Sequence, residues 1–427
     1  MSDRPNRLGR VIFMLSLIVA GEAIFSLPFH ITRYFRPTFL EVFGFTNLQL
    51  GQAMAVYGVV GMVAYLFGGP LADLFSARIL MFWSLVCTSA SGLYMASIPG
   101  LDGMSLLWGF WGLSSILLFW AAMIRATRDW GGPDGQGRAF GILDGGRGLL
   151  SAVMAAVAVI LFKLFMPEDV EGATPEQRLS ALQNVIYAYV AVTGGAAILV
   201  WFGVPERRPE RNSSARNSSI RSDLIKVIKR PTIWLQALIV VSAYVAYKGT
   251  DLFSLYAVDA YGMNEVEAAE VGAISAWVRP VAALAAGLLA DRILSSRVVS
   301  GCFVILVATY SFMAITTPQP GATWILVLEI IISCIAVYGL RGVYFALFEE
   351  ANLPLGVTGA AVGLVSIIGY TPDVFVGLIA GWLLDSYPGV QGHQYFFAFL
   401  GGTALLGLMV SLIFTRLARD LRIEDGA

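Results

Sequence analysis

The residues of this chain with chemical potential are ionisable side chains set inside long apolar runs. Glu22, His30 and Arg33 share one run, Asp144 and Arg147 a second, and Lys248 and Asp251 a third. Arg279, Glu329 with Arg341, and Asp373 mark three more. A charge at bilayer depth costs at least about 2.5–3.5 kcal/mol on insertion scales, so each such group has to face water, a partner or a bound solute. Asp144 and Arg147 lie three residues apart, as do Lys248 and Asp251, so each pair shares a helical face and can neutralise itself. Arg279 and Arg341 have no acid nearby in sequence. Each must find a partner on another helix or bind an anion, because a carboxylate and a phosphate satisfy a guanidinium equally well. Glu22 reads as an unpaired acid at mid-depth and is the first candidate for reversible protonation, with Asp373 second.

The elements that must position these groups follow from composition. The chain is 57% hydrophobic and 13% charged over 427 residues, too little polar surface for a water-soluble globule of that size, so lipid is its solvent. Stretches long enough to span a bilayer fall near 9–37, 47–73, 79–98, 103–125, 138–165, 179–203, 231–257, 268–290, 298–317, 322–348, 357–384 and 394–415. The basic N-terminal residues followed by an apolar stretch outline a signal peptide, but no small-residue cleavage site follows, and the segment reads as a retained first span. Spans three, six, nine and twelve hold no Asp, Glu, His, Lys or Arg, so the intramembrane charges are confined to the other spans.

Basic residues set the topology. Arg4, Arg7 and Arg10, then Arg78, then Arg125, Arg128 and Arg138, the 204–230 segment, and finally Arg416, Arg419 and Arg422 all fall on one side, which the positive-inside rule makes the cytoplasm. Both termini are then cytoplasmic, and the protein is a multi-pass component of the cell inner membrane. The Ser-, Asn- and Arg-rich 204–230 segment reads as a solvated linker between a bundle at 1–203 and a second at 231–427. A net charge of -1 gives no reason to expect nucleic acid. Cys87, Cys302 and Cys334 sit in apolar runs without metal-ligand spacing, His30 and His393 are the only histidines, and no phosphate-cradling Gly-x-x-x-x-Gly-Lys run occurs. An enzyme, a cofactor and a metal site are therefore not expected. Glycines at 137, 141, 145, 359 and 363 read as helix-packing surfaces.

The chain also repeats itself. Gly44-Phe45-Thr46-Asn47 matches Gly262-Met263-Asn264-Glu265, and Gly69-Pro70-Leu71-Ala72-Asp73 matches Gly287-Leu288-Leu289-Ala290-Asp291, both at a spacing of 218 residues. Gly69-Pro-Leu-Ala-Asp73-Leu-Phe-Ser-Ala-Arg78 resembles the Gly-x-Leu-Ala-Asp-Arg-x-Gly-Arg-Arg loop signature of the major facilitator superfamily, and Gly287-Leu-Leu-Ala-Asp291-Arg292 is its second-half echo. Leu74 and Ser76 depart from that signature. The resemblance implies an all-α membrane fold of twelve helices in two pseudo-symmetric six-helix bundles, with Asp73, Arg78 and Asp291 as gating contacts. His30-Ile-Thr-Arg33-Tyr-Phe-Arg36 resembles the span-one segment of the organophosphate and organic-anion branch, where a base there and another in span seven grip the anion. Lys248 lies near the matching span-seven position, and His30 and Arg33 compete for the span-one role.

The resulting expectation is a monomeric secondary transporter that moves a small organic solute, most simply an organic anion, by alternating access within membrane lipid, coupled to protons or a counter-solute by symport or antiport. His30, Arg33, Arg147, Lys248, Arg279 and Arg341 are the solute-binding candidates; Glu22, Asp144, Asp251 and Asp373 are the proton-coupling candidates. A multidrug or neutral sugar carrier is the alternative within transport. A transporter-like membrane sensor is the alternative outside it, although such a protein is expected to add a cytoplasmic region that the short linker and tails do not supply.

Overall fold

The computed structural model describes residues 7–132, 135–206, 225–319, 321–353 and 357–425. Among them are 12 helices long and apolar enough to cross a membrane: Arg7–Tyr34, Asn47–Leu74, Ala77–Ala96, Leu101–Gly131, Gln136–Phe165, Pro175–Gly203, Pro231–Tyr261, Glu265–Ala290, Ser295–Ile315, Thr323–Val343, Ala361–Ser386 and Val390–Asp420. They are numbered here as spans one to twelve. Most of the 204–230 linker lies outside the described residues.

Local chemistry explains where these helices begin. Span two opens with a capping box, in which the Gln49 amide donates to Thr46 Oγ1 at 3.2 Å and the Thr46 amide donates to Gln49 Oε1 at 2.9 Å. At span eight the amide of Glu267 donates to Asn264 Oδ1 at 3.0 Å, and the Asn264 amide donates back to Glu267 Oε2 at 3.1 Å. Thr46 and Asn264 are related by the same 218-residue spacing as the sequence repeat. So are Gly44 and Gly262, each in the left-handed region at φ 64 just before the cap. The duplication is therefore written in backbone geometry as well as in residue type.

Four of the spans are not continuous α-helix. Span one passes through a π-helical turn at Ser26–His30, and span four through a longer one at Leu113–Trp120. Span seven narrows to a 3-10 turn at Thr250–Leu252. Span eleven breaks after Gly369 and restarts at Pro372, whose missing N–H suits the first turn of a helix. These interruptions fall beside the ionisable residues, and they place Lys248 in the last turn of one helical segment and Asp373 in the first turn of another.

The chain divides into two compact units: Met1–Pro209 with Leu252–Trp277, and Glu210–Asp251 with Val278–Ala427. In the first, span three packs on span six, span two on span four, and span one on spans five and six; in the second, span nine packs on span twelve, and span seven on spans eleven and twelve. The C-terminal part of span seven and the first part of span eight are built into the first unit. The reason is both apolar and ionic. Val266, Ala269, Ala273 and Ala276 join a core with Leu27, Ile31 and Tyr34. Arg178 Nε meets Glu265 Oε1 at 2.6 Å and Glu41 Oε2 at 3.3 Å, Lys163 Nζ meets Glu270 Oε1 at 3.2 Å, and Ser254 Oγ donates to the Arg33 carbonyl at 2.8 Å.

The glycines of span five do not do what their spacing predicts. A Cβ placed on Gly137, Gly141, Gly145 or Gly363 would meet nothing within 4 Å, so these positions are not close helix contacts. Close approach occurs instead at Gly146, where a Cβ would come within 2.5 Å of Ile18 Cδ1, and at Gly21, where it would come within 2.9 Å of Met123 Sδ and 3.0 Å of Arg147 Cδ. Small-residue spacing identifies a smooth helix face, and only the packing partner decides which residue of that face is touched.

Candidate functional site

Ionisable groups gather in two clusters, one in each unit. In the first unit, the π-helical turn of span one brings His30 back toward Glu22, with His30 Nε2 and Glu22 Oε1 3.4 Å apart. Arg147 reaches across from span five, its Nε 3.6 Å from Glu22 Oε2 and donating to the Gly21 carbonyl at 3.0 Å. Its Nη1 also lies 3.5 Å from Asp144 Oδ1, the intrahelical partner that the three-residue spacing predicts. The rings of Phe25 and Trp120 stand 5.8 and 5.9 Å from the guanidinium. Glu22, His30 and Arg147 are all buried. Glu22 is thus not the unpaired acid that the sequence implies, because its bases arrive from about two turns further along its own span and from a helix more than a hundred residues away.

The second cluster is built on span seven. Lys248 Nζ lies 2.7 Å from Asp251 Oδ2, again the predicted pair, and 3.5 Å from Asp373 Oδ1 of span eleven. The Tyr244 hydroxyl donates to Asp373 Oδ2 at 3.0 Å. The Arg341 guanidinium, from span ten, sits 4.0 Å from the centroid of the Tyr247 ring and 5.6 Å from that of Tyr244. No carboxylate among the described residues pairs with Arg341, and its Nη1 has no hydrogen-bond partner. Tyr370 packs edge-on against Tyr244 at 4.9 Å, and Tyr338 against Tyr247 at 6.2 Å. Lys248 and Asp251 are buried, while Tyr244, Tyr247, Tyr370, Arg341 and Asp373 all keep partial exposure.

The other candidates lie outside these clusters. Arg33 is buried in span one, with its carbonyl bonded to Ser254. Arg279 is half-buried in span eight. Arg78 pairs with Glu206 and lies 5.1 Å over the Trp201 ring, so it is held by the end of span six. Asp73 and Asp291 are exposed at the ends of spans two and eight. Sequence reasoning passed over the tyrosines. Tyr244 precedes Lys248 by four residues and Tyr247 is its neighbour, so a search for aromatic residues within one turn of each intramembrane charge finds both. The same search finds Tyr338, three residues before Arg341, and Tyr370, three before Asp373; what it does not show is that all four rings meet.

Twelve apolar helices in a duplicated order, with discontinuous helices carrying charged side chains, define a polytopic helical membrane carrier. The sequence model of the Major Facilitator Superfamily matches residues 8–372, and the chain belongs to that family. It is a transporter rather than an enzyme. It is 27% identical to the inner membrane protein YqcE of Escherichia coli over 99% of this chain and 98% of that one. It is 26% identical to a probable nitrate/nitrite antiporter, NarK1, of Thermus thermophilus, over 72% of this chain and 67% of that one. Its fold is that of a bacterial homologue of the human lysosomal transporter Spinster in an inward-facing, unoccupied conformation, with a TM-score of 0.77 at 13% identity over 97% of this chain and 99% of that one.

Proposed function

We propose that this protein is a secondary carrier for a small organic anion, with Arg341 as the principal anion-binding group and Lys248 as its neighbour in the second unit. The observation that carries this reading is the state of Arg341: a guanidinium held on two tyrosine faces, its Nη1 buried without a hydrogen-bond partner, with no described carboxylate to neutralise it. An anion that reaches it gains a charged hydrogen bond that no described side chain supplies. Arg147 is a weaker candidate, because Glu22 and Asp144 already compensate it. The anion transport named for the Thermus relative supports the same charge sign. Asp373 is the preferred proton-coupling group, since it is the accessible acid that shares a base with Asp251; Glu22 is enclosed. The tyrosine faces favour neutral sugars as the second reading, because an aromatic ring also stacks on a sugar ring.

The basic residues flanking the spans support a reading with both termini in the cytoplasm of an inner-membrane protein, which we read as a monomer. Labelling of single cysteines placed at residues 169 and 419 from opposite sides of the membrane tests that orientation.

Substrate class is tested by melting the purified protein with sugar phosphates, sulfonates, carboxylates and neutral sugars, since a ligand that binds the folded state raises its melting temperature. The expected result is stabilisation by at least one anion, abolished by Arg341→Gln. Stabilisation by neutral sugars alone, unchanged in that variant, overturns the anion reading.

A further inference from the structure

We infer that Tyr244 is the positioning residue that links proton binding at Asp373 to anion capture at Arg341, an inference that rests on the anion reading above. Tyr244 is the one side chain in the second cluster with a described contact to both groups. Its hydroxyl donates to Asp373 Oδ2 at 3.0 Å, and its ring centroid lies 5.6 Å from the Arg341 guanidinium. The ring is held from two sides, by Tyr370 at 4.9 Å and by Tyr247 at 5.4 Å, so the hydroxyl cannot follow Asp373 without the ring moving under Arg341.

The hydrogen-bond inventory supplies the switch. An ionised carboxylate only accepts, so Asp373 takes the Tyr244 O–H on Oδ2 while Lys248 approaches Oδ1. When a proton from water adds to Asp373, the carboxyl keeps one acceptor oxygen fewer and gains an O–H donor. Oδ1, which has no hydrogen-bond partner, takes the proton, so the Tyr244 hydroxyl now donates to a neutral oxygen through a weaker bond that an anionic acceptor outcompetes, and Lys248 retains its closer partner, Asp251, at 2.7 Å. An anionic oxygen bound at Arg341 Nη1, which is buried without a hydrogen-bond partner, is the acceptor that competes for the Tyr244 hydroxyl. Protonation and anion binding favour one another by this route, which makes the coupling a symport of anion with proton.

The groups facing Asp373 are few enough to name. Span seven contributes Tyr244, Lys248 and Asp251, and span ten contributes Arg341 over the Tyr244 ring. Span twelve, which also packs on span eleven, has no ionisable charge between His393 and Arg416 other than the phenol of Tyr395 near its start. No other base competes with Lys248 for Asp373 among the described residues.

The test needs no solute. Infrared difference spectra of the full chain in lipid vesicles, between high and low pH, are recorded for the unaltered protein and for Asp373→Asn, which identifies the carboxylic-acid band of Asp373 by its loss. Tyr244→Phe keeps the ring and removes only the hydroxyl, so the folded packing is retained. Arg341→Gln is expected to move the Asp373 band in the unaltered background and to leave it in place in Tyr244→Phe. An equal displacement by Arg341→Gln in both backgrounds overturns the linkage, and so does the absence of any band that Asp373→Asn removes. Neither result bears on the ligand melting screen, which judges the anion reading by itself.

Discussion

The two units repeat one backbone plan but carry opposite arrangements of charge. His30 and Lys248 are separated by the 218 residues of the repeat, and so are Arg33 and Asp251. In the first unit the acid is on span one and the base comes from span five, as Glu22 and Arg147. In the second the base is on span seven and the acid comes from span eleven, as Lys248 and Asp373. In the first cluster Glu22 is only 2% exposed while Asp144 is exposed, and the guanidinium between them is engaged by Glu22, Asp144 and the Gly21 carbonyl. The second carries an additional cation, Arg341, that has tyrosine faces instead of a carboxylate. The repeat keeps an ionisable side chain at these two positions while changing its kind, whereas Val240 stands at the position that matches Glu22.

The strongest way to break this contrast is to remove the base of each cluster. Arg147→Met takes one base away from buried Glu22, and Lys248→Met takes the shared base away from Asp251 and Asp373; each is expected to cost about 3–5 kcal/mol, the range for breaking one side of a buried pair. Melting temperature is the readout, and a Lys248→Met chain that melts like the unaltered protein removes the ion-pair account of the second cluster. Arg341→Gln breaks no ion pair among the described residues, so its melting temperature should change little. Its affinity for the stabilising anion should instead fall about 10- to 100-fold, corresponding to the loss of about 1.5–3 kcal/mol of charged hydrogen bonding.

Two smaller effects sharpen the same comparison. Gly21→Ala forces a methyl group against Met123 and Arg147 and is expected to destabilise by about 1–3 kcal/mol through overpacking, whereas Gly145→Ala meets open space and should be neutral or slightly stabilising. Equal melting of the two variants would remove the argument that the first cluster is closely packed around Arg147. Lys163→Ala, at an exposed pair with Glu270, should cost less than about 1 kcal/mol, and Arg178→Ala should cost more because that guanidinium serves two carboxylates and is largely buried. Thermal melts in high salt separate them further, since screening weakens the exposed pair first.

Much of the fold was legible because its causes are local. Span length and hydropathy specify twelve crossings, and the cap residues Thr46 and Asn264 mark helix starts that the structure reproduces at the repeat spacing. The pairs Asp144–Arg147 and Lys248–Asp251 were equally legible, because a three-residue separation on a helix puts two side chains on one face whatever surrounds them. The partners of Glu22 and the surroundings of Arg341 were not, because they come from helices distant in sequence.

By itself, then, the sequence determined the membrane class, the number and order of the helices, the duplication, and which residues carry charge into the bilayer. Tertiary structure decided which of those charges are already neutralised: it joined Arg147 to Glu22, gave Lys248 two carboxylates, left Arg341 on the faces of Tyr244 and Tyr247, and built Leu252–Trp277 into the first unit. The physical reason is range. Hydropathy and capping act within a helix and are written in neighbouring residues, whereas the compensation of a buried charge depends on what another helix brings within a few ångströms of it.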